Sequence, residues 1–230
     1  MDGETSRVNR TKQEARISYN RMSRWYDFFA GTSERKFMEI GINQLLPQPG
    51  EQILEIGCGT GHGLLSLANS VGPSGCIFGL DISEGMLTQS SVRIRKFDFQ
   101  NLISLQQGDG CLLPYISNSF SAVLMSFTIE LFDTPDIPLV LMECRRVLKK
   151  EGRIVLVCLA KKESLIVRIY EWFHKIFPSF VDCRPINIQS YIPQTAFNVT
   201  NSSIKSMWGL PVEIVTAVVM EEKMEAANGE

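Results

Sequence analysis

The apolar residues of this chain fall into two rhythms. From Thr11 to Ala30 large residues recur at helical spacing (Ile17, Tyr19, Met22, Trp25, Tyr26, Phe28, Phe29), with Gly31 as a stop. Thr32 or Ser33 can then cap a second helix through Phe37, Ile40 and Leu45, which Pro47, Pro49 and Gly50 end. Shorter runs follow and read as strands: Ile53 to Ile56, Cys76 to Leu80, Asn101 to Gln106, Phe120 to Phe127, and the stretch KKEGRIVLVCLA. Helical patterns lie between them, in LLSLANSV, in the segment that Ser83 caps, and from Thr134–Asp136 through Leu148. Strands alternating with helices predict a parallel α/β sheet, and FSAVLMSF has the unbroken apolarity of a strand buried on both faces. Beyond Ala160, Leu165 to Phe177 is apolar along one helical face. Core packing is the first reading of its aromatic cluster; a lid over a greasy acceptor and a membrane-surface helix are the others. A short helix at about Ile188 to Phe197 precedes two strands, roughly Val199 to Trp208 and Val212 to Met220. Gly209-Leu210-Pro211 as a tight turn makes this pair antiparallel. Residues 1 to about 10 and the tail EEKMEAANGE carry no such pattern and are expected to be disordered.

The chemistry concentrates where the first strand ends. ILEIGCGTGHG places glycine at every second position, Gly57 to Gly63, with Glu55 two residues ahead of the first. A dinucleotide-binding turn needs its third glycine where this chain has His62, and a pyrophosphate disfavours an adjacent carboxylate. Glu55 instead suits a cationic or hydroxyl-bearing ligand. Asp81, 24 residues after Gly57 at the end of the second strand, can accept both hydroxyls of a ribose. Enzymes that use NAD share that device, so Asp81 alone does not choose the nucleotide.

In these residues the chain resembles the class I S-adenosylmethionine (SAM)-dependent methyltransferases. The likeness extends to Asp81-ISEGML, Gly108-Asp109-Gly110, Leu112-Leu113-Pro114, and Arg146-Val147-Leu148 with Gly152. It implies an α/β, Rossmann-like class I methyltransferase fold: a seven-stranded, mostly parallel sheet with an antiparallel last strand and N-terminal cap helices. It also implies an arm at 1–47, a SAM-binding domain at 48–222 and a frayed tail at 223–230. SAM is the implied cofactor and S-adenosylhomocysteine the product. The implied site comprises Glu55, Gly57, Cys58, Gly59, Gly61, His62, Asp81, Ile82, Met86, Gly108, Asp109, Gly110, Ser126 and Phe127, with Tyr19 and Tyr26 from the arm; Asp109 would receive the adenine amine. Within that family the chain is similar to the ubiquinone- and menaquinone-type enzymes. It differs from them after Tyr26-Asp27, where FFAGTSERKFMEIG lacks their tryptophan, so a quinone precursor, a phospholipid amine and another small metabolite all stand as acceptors. A Rossmann-type NAD(P) oxidoreductase and a non-catalytic SAM-binding regulator are the alternatives.

Charge and composition narrow the partners. At 230 residues, with 44% hydrophobic and 21% charged residues, the chain can build one full core. A net charge of −2 without a basic stripe gives no case for nucleic acid. No apolar run reaches the roughly 18 residues of a membrane span, which leaves peripheral membrane contact. Six scattered cysteines form neither a C-x-x-C pair nor a metal cluster, and the start MDGETSRVNRTKQEAR is not a secretory signal; no metal and a cytoplasmic location are expected. A monomer or homodimer acting on a small-molecule acceptor is the expectation. Methyl transfer from a sulfonium needs no protein nucleophile. His174, Glu130 and Tyr26 are candidates for handling a proton or orienting the acceptor, and no general base is assigned; a solvated acid at a helix start is the other reading of Glu130.

Overall fold

The computed structural model of the chain describes residues 7–8, 11–23, 33–176 and 183–220, without the side chains of 173–176. The expectations for the two chain ends and for Trp25, Tyr26 and Phe28 lie outside the described residues, as does the side chain of His174.

Seven strands form one sheet: β1 (Gln52–Ile56), β2 (Cys76–Asp81), β3 (Ile103–Gln107), β4 (Phe120–Ser126), β5 (Leu148–Leu159), β6 (Phe197–Met207) and β7 (Leu210–Val219), in the order β3-β2-β1-β4-β5-β7-β6. The first five run parallel, and β7 lies antiparallel to both β5 and β6. Helices α1 (Lys12–Met22), α2 (Ser33–Leu45), α3 (His62–Val71), α4 (Glu84–Lys96), α5 (Asp136–Val147) and α6 (Leu165–Ile176) connect or cover the strands.

The two-residue period of a strand divides the core. Ile53, Ala122, Leu124, Val155 and Val157 point to the side covered by α2 and α3, where Phe37, Ile42, Leu45, Leu64 and Leu67 are buried. Leu54, Ile56, Val123, Met125, Ile154 and Leu156 point to the opposite side and meet Ile137, Val140, Leu141 and Cys144 of α5. Each such Leu or Ile contributes about 1.5–3 kcal/mol relative to exposure. Both sides being apolar, the central strands read as unbroken apolar runs.

Local details depart from the sequence reading. The final turn is Trp208–Gly209, both at positive φ (51° and 87°), while Leu210 and Pro211 belong to β7. A two-residue turn with two positive φ values matches the right-handed twist of the flanking strands. The short helix before β6 is two 3-10 turns, Ile188–Ser190 and Ile192–Thr195. β3 starts two residues later than expected, because the Leu102 N–H is taken by the Phe99 carbonyl in a turn. No described helix is long and apolar enough to cross a membrane.

Candidate active site

The carboxyl ends of β1, β2, β3 and β4 converge on a cavity of about 290 Å3, with a smaller one of about 80 Å3 beside it. Gly57, Gly59, Ser126 and Phe127 line both, so they are two lobes sharing one wall. At the turn after β1 the N–H groups of Gly57 and Cys58 donate to the Leu80 carbonyl (2.7 and 3.1 Å), bringing the turn against the end of β2. Gly57 has φ 70°, and a Cβ there would collide with the Thr128 side chain; Gly59 has φ 52° and faces open space. The first glycine is required by packing. The second leaves bare main chain facing the cavity.

Asp81 closes β2 with its side chain 8% exposed. Its two oxygens accept from Gly59 N (2.9 Å) and Ser83 N (2.8 Å), which outlines a rigid carboxylate at the cavity wall. Burial pushes its pKa up, and those N–H groups oppose the rise. Ser83 caps α4 by accepting from Met86 N. Glu55 is 3% exposed, and its Oε2 has no hydrogen-bond partner among the described residues. Burial, then the nearby Asp81 and Glu39, push this carboxyl up to about 8, so it is neutral at pH 7.

The third wall is the N-terminal arm. Lys12 Nζ pairs with Asp109 (2.7 Å) and Asp136 (3.3 Å), and Arg7 pairs with Asp133 (2.7 Å). Burial opposes ionisation of Asp109, but Lys12 and the Cys111 N–H outweigh it and hold the carboxyl below its usual range. The Arg7 guanidinium, with the Val8 and Thr134 N–H groups, brings Asp133 down to about 2. Asn20 Oδ1 accepts from Ser83 Oγ (2.7 Å) and Gly85 N (2.9 Å), fastening α1 to the start of α4.

The larger lobe brings together Gly57, Gly59, Asp81, Ile82, Met86, Gly108, Asp109, Gly110, Ser126, Phe127 and Tyr19. Glu55, Cys58 and His62 line the smaller one, where His62 Nε2 lies 2.7 Å from Arg35 Nη2. Gly61 lines neither: its role is packing, since a Cβ there would strike Ser90. Glu130 is not among the lining residues and is not a solvated acid either. It is fully buried, and its Oε1 accepts from Leu159 N (3.2 Å). Arg184, itself buried, donates to the backbone carbonyls of Glu130 and Phe132 from a distant part of the chain. Lys12, Asp133, Asp136, Phe132 and Arg35 also line the lobes and escaped the sequence reading. They belong to no local motif: the charge of Lys12, Asp133, Asp136 and Arg35 is common on any surface, and Phe132 is one apolar residue among many.

This arrangement of sheet, glycine turn and terminal acids is that of the class I methyltransferases. The family described as Methyltransferase domain matches residues 53–152. A demethylmenaquinone methyltransferase of Lactobacillus johnsonii is 35% identical over 65% of this chain and 61% of its own length; that of Symbiobacterium thermophilum is 33% identical over 74% of this chain and 69% of its own. The crystal structure of the YcgJ protein from Bacillus subtilis superposes with a TM-score of 0.67 at 17% identity, over 82% of this chain and all of that one, and speaks for the fold. The chain belongs to the SAM-dependent methyltransferases of menaquinone-biosynthesis type. It spans about three fifths of the length of the first relative. The missing tryptophan after Tyr26-Asp27 therefore does not remove it from the quinone type, and the NAD(P) alternative yields to the family.

Proposed function

We propose that this chain transfers the methyl group of SAM to a hydrophobic, aromatic acceptor of the demethylmenaquinone kind. The observation that carries the reading is the two-lobed cavity, whose lining combines a held carboxylate and bare main chain at the ends of β1 and β2, the ion pairs of the arm, and the apolar side chains of Ile56, Leu80, Phe127, Leu131 and Phe132. When bound, SAM supplies an electrophilic methyl group on a sulfonium whose charge disappears on transfer. Asp81 would accept the ribose hydroxyls with the acceptor capacity that the backbone N–H groups leave on its two oxygens. Gly59 would let the nucleoside lie against the backbone. Asp109 would accept the adenine amine while sharing its carboxylate with Lys12. Glu55, with Oε2 unpartnered at the smaller lobe, would meet the ammonium end of the donor and ionise there. Ile56, Leu80, Phe127, Leu131 and Phe132 would exclude water and hold a flat acceptor in line with the methyl group. His62, bonded to Arg35, has no proton-transfer role in this scheme. Six free thiols favour a reducing compartment, the cytoplasm, as the place of action.

The test supplies methyl-labelled SAM with demethylmenaquinol, with phosphatidylethanolamine, and with an extract of small polar metabolites in separate arms. Label in the quinol is expected. Label only in another arm overturns the acceptor. Calorimetric heat with NADH and none with S-adenosylhomocysteine overturns the donor.

A further inference from the structure

Helix α6 is held down by one side and exposes apolar residues on another. Val167 is buried, and the Tyr170 hydroxyl donates to the Cys183 carbonyl (2.8 Å). Leu165 (72% exposed), Ile166, Ile169 and Trp172 (57% exposed) face outward, and positions 165, 169 and 172 share one helical stripe. The neighbouring hairpin tip repeats the anomaly. Trp208 is 76% exposed and sits at φ 51°, in a turn whose first position favours asparagine or glycine. A bulky residue in the left-handed region costs conformational energy, and at this exposure it recovers little by packing. Ile166 lies directly over Gly209, where an added Cβ would come within 2.8 Å of its Cδ1, so helix and turn form one continuous surface.

The surface has a charge and a location. Lys161, Lys162 and Arg168 on or before α6 and Lys205 on β6 stand against two acids on the same elements, Glu163 and Glu171, in a chain whose net charge is −2. Lys161 spans 3.9 Å to Glu171. β5 ends at Leu159 opposite Val212, near the start of β7, and Phe127 N at the end of β4 donates to Val157 O. The hairpin tip thus lies at the same edge of the sheet as the cavity. We propose that α6 and the β6–β7 tip dock on anionic lipid headgroups, with Trp172 and Trp208 at the interface and the cations against the phosphates. For its purpose, presenting the cavity to a lipid-dissolved acceptor, this rests on the reading of a hydrophobic acceptor above. A second copy fits the surface less well: a symmetric pair would set the same excess of cations against itself.

The test is co-sedimentation of the full chain with phosphatidylcholine vesicles and with mixed phosphatidylcholine–phosphatidylglycerol vesicles, at low and high salt. Binding to the mixed vesicles, lost in high salt, is expected. Trp172→Ser with Trp208→Asn should lower the bound fraction about tenfold, since each interfacial aromatic and its apolar contact add to the electrostatic attraction. The same variant should keep the melting temperature and the S-adenosylhomocysteine affinity of the native chain. Wild-type protein left in the supernatant overturns the proposal, as does a double variant that sediments like the wild type. So does a dimer in gel filtration that the double substitution dissolves while vesicle binding stays absent. Loss of S-adenosylhomocysteine binding with vesicle binding intact would sink the donor reading and leave the docking surface standing.

Discussion

The two sides of the larger lobe are built by opposite means. The side formed by the ends of β1 and β2 is backbone: Gly57 and Cys58 N–H on the Leu80 carbonyl, Gly59 N–H on Asp81. The side formed by the arm is side chain: Lys12 on Asp109 and Asp136, Arg7 on Asp133, Asn20 on Ser83 and Gly85. The first side is set by the sheet and its glycine turn, whose N–H groups are held by the Leu80 carbonyl and the Asp81 carboxylate. The second consists mainly of partly exposed ion pairs, worth little each and weakened by salt. A rigid wall and a releasable one around the same space would let a ligand be gripped without being sealed in.

The difference should be largest at the glycines. Gly57→Ala forces a Cβ into Thr128 at φ 70° and should cost about 2–4 kcal/mol of stability, read by urea denaturation. Gly59→Ala meets no atom within 4 Å, so it should cost only about 1–2 kcal/mol while weakening S-adenosylhomocysteine binding more than tenfold. If both variants lost stability equally and bound alike, the distinction between the packing glycine and the ligand-facing one would collapse. Asp81→Ala should come next, weakening donor binding by roughly 1.5–3 kcal/mol through lost charge-assisted hydrogen bonds. Unchanged calorimetric affinity would take Asp81 out of the site.

That rigid side was also the legible one. Glu55, the glycines and Asp81 sit in one strand–turn–helix–strand unit, so spacing along the chain maps directly to spacing in space. The same holds for the buried strands, whose apolar runs register which sides are covered. Lys12 and Asp109 are 97 residues apart and Arg7 and Asp133 are 126 apart, and no local rule pairs them. Glu130 misled for the same reason: an acid after a strand reads as solvated, and the groups it meets, the Leu159 N–H on its carboxylate and the Arg184 guanidinium on its carbonyl, lie 29 and 54 positions on. The hairpin turn was misplaced because Trp208 takes a backbone conformation that its side chain argues against.

Glu55, on β1 and facing the smaller lobe, offers a pH signature of the same strand end. Its folded pKa, about 8, lies above the usual carboxylate value, so it favours the fold fully below about 4.5 and progressively less as pH rises towards 8. A cationic ligand reverses the preference and draws the proton off. Donor binding should therefore tighten by up to tenfold per pH unit between the bound-state pKa and about 8, and calorimetry in buffers of different ionisation heat should register release of up to one proton. Glu55→Gln should flatten both profiles. A wild-type affinity independent of pH from 6 to 8 would place the ammonium away from Glu55.

The smallest effect belongs to the releasable side. Lys12→Met removes one cation from between Asp109 and Asp136, groups that remain partly exposed once it is gone. An exposed pair of this kind is worth about 0.3–1 kcal/mol, a change of roughly two- to fivefold in an equilibrium. The change should appear in how fast S-adenosylhomocysteine leaves, because the arm crosses the lobe the nucleoside would occupy; added salt should mimic it in the wild type and do little further in the variant. Urea stability should hardly move, since α1 buries no side chain and keeps its Asn20 anchor on α4. The sign of the affinity change sorts two roles for Lys12. If Lys12 closes the arm over the ligand, its loss weakens binding. If instead it competes with the adenine amine for Asp109, its loss strengthens binding, and the arm would be a partial occupant of the site rather than its cover.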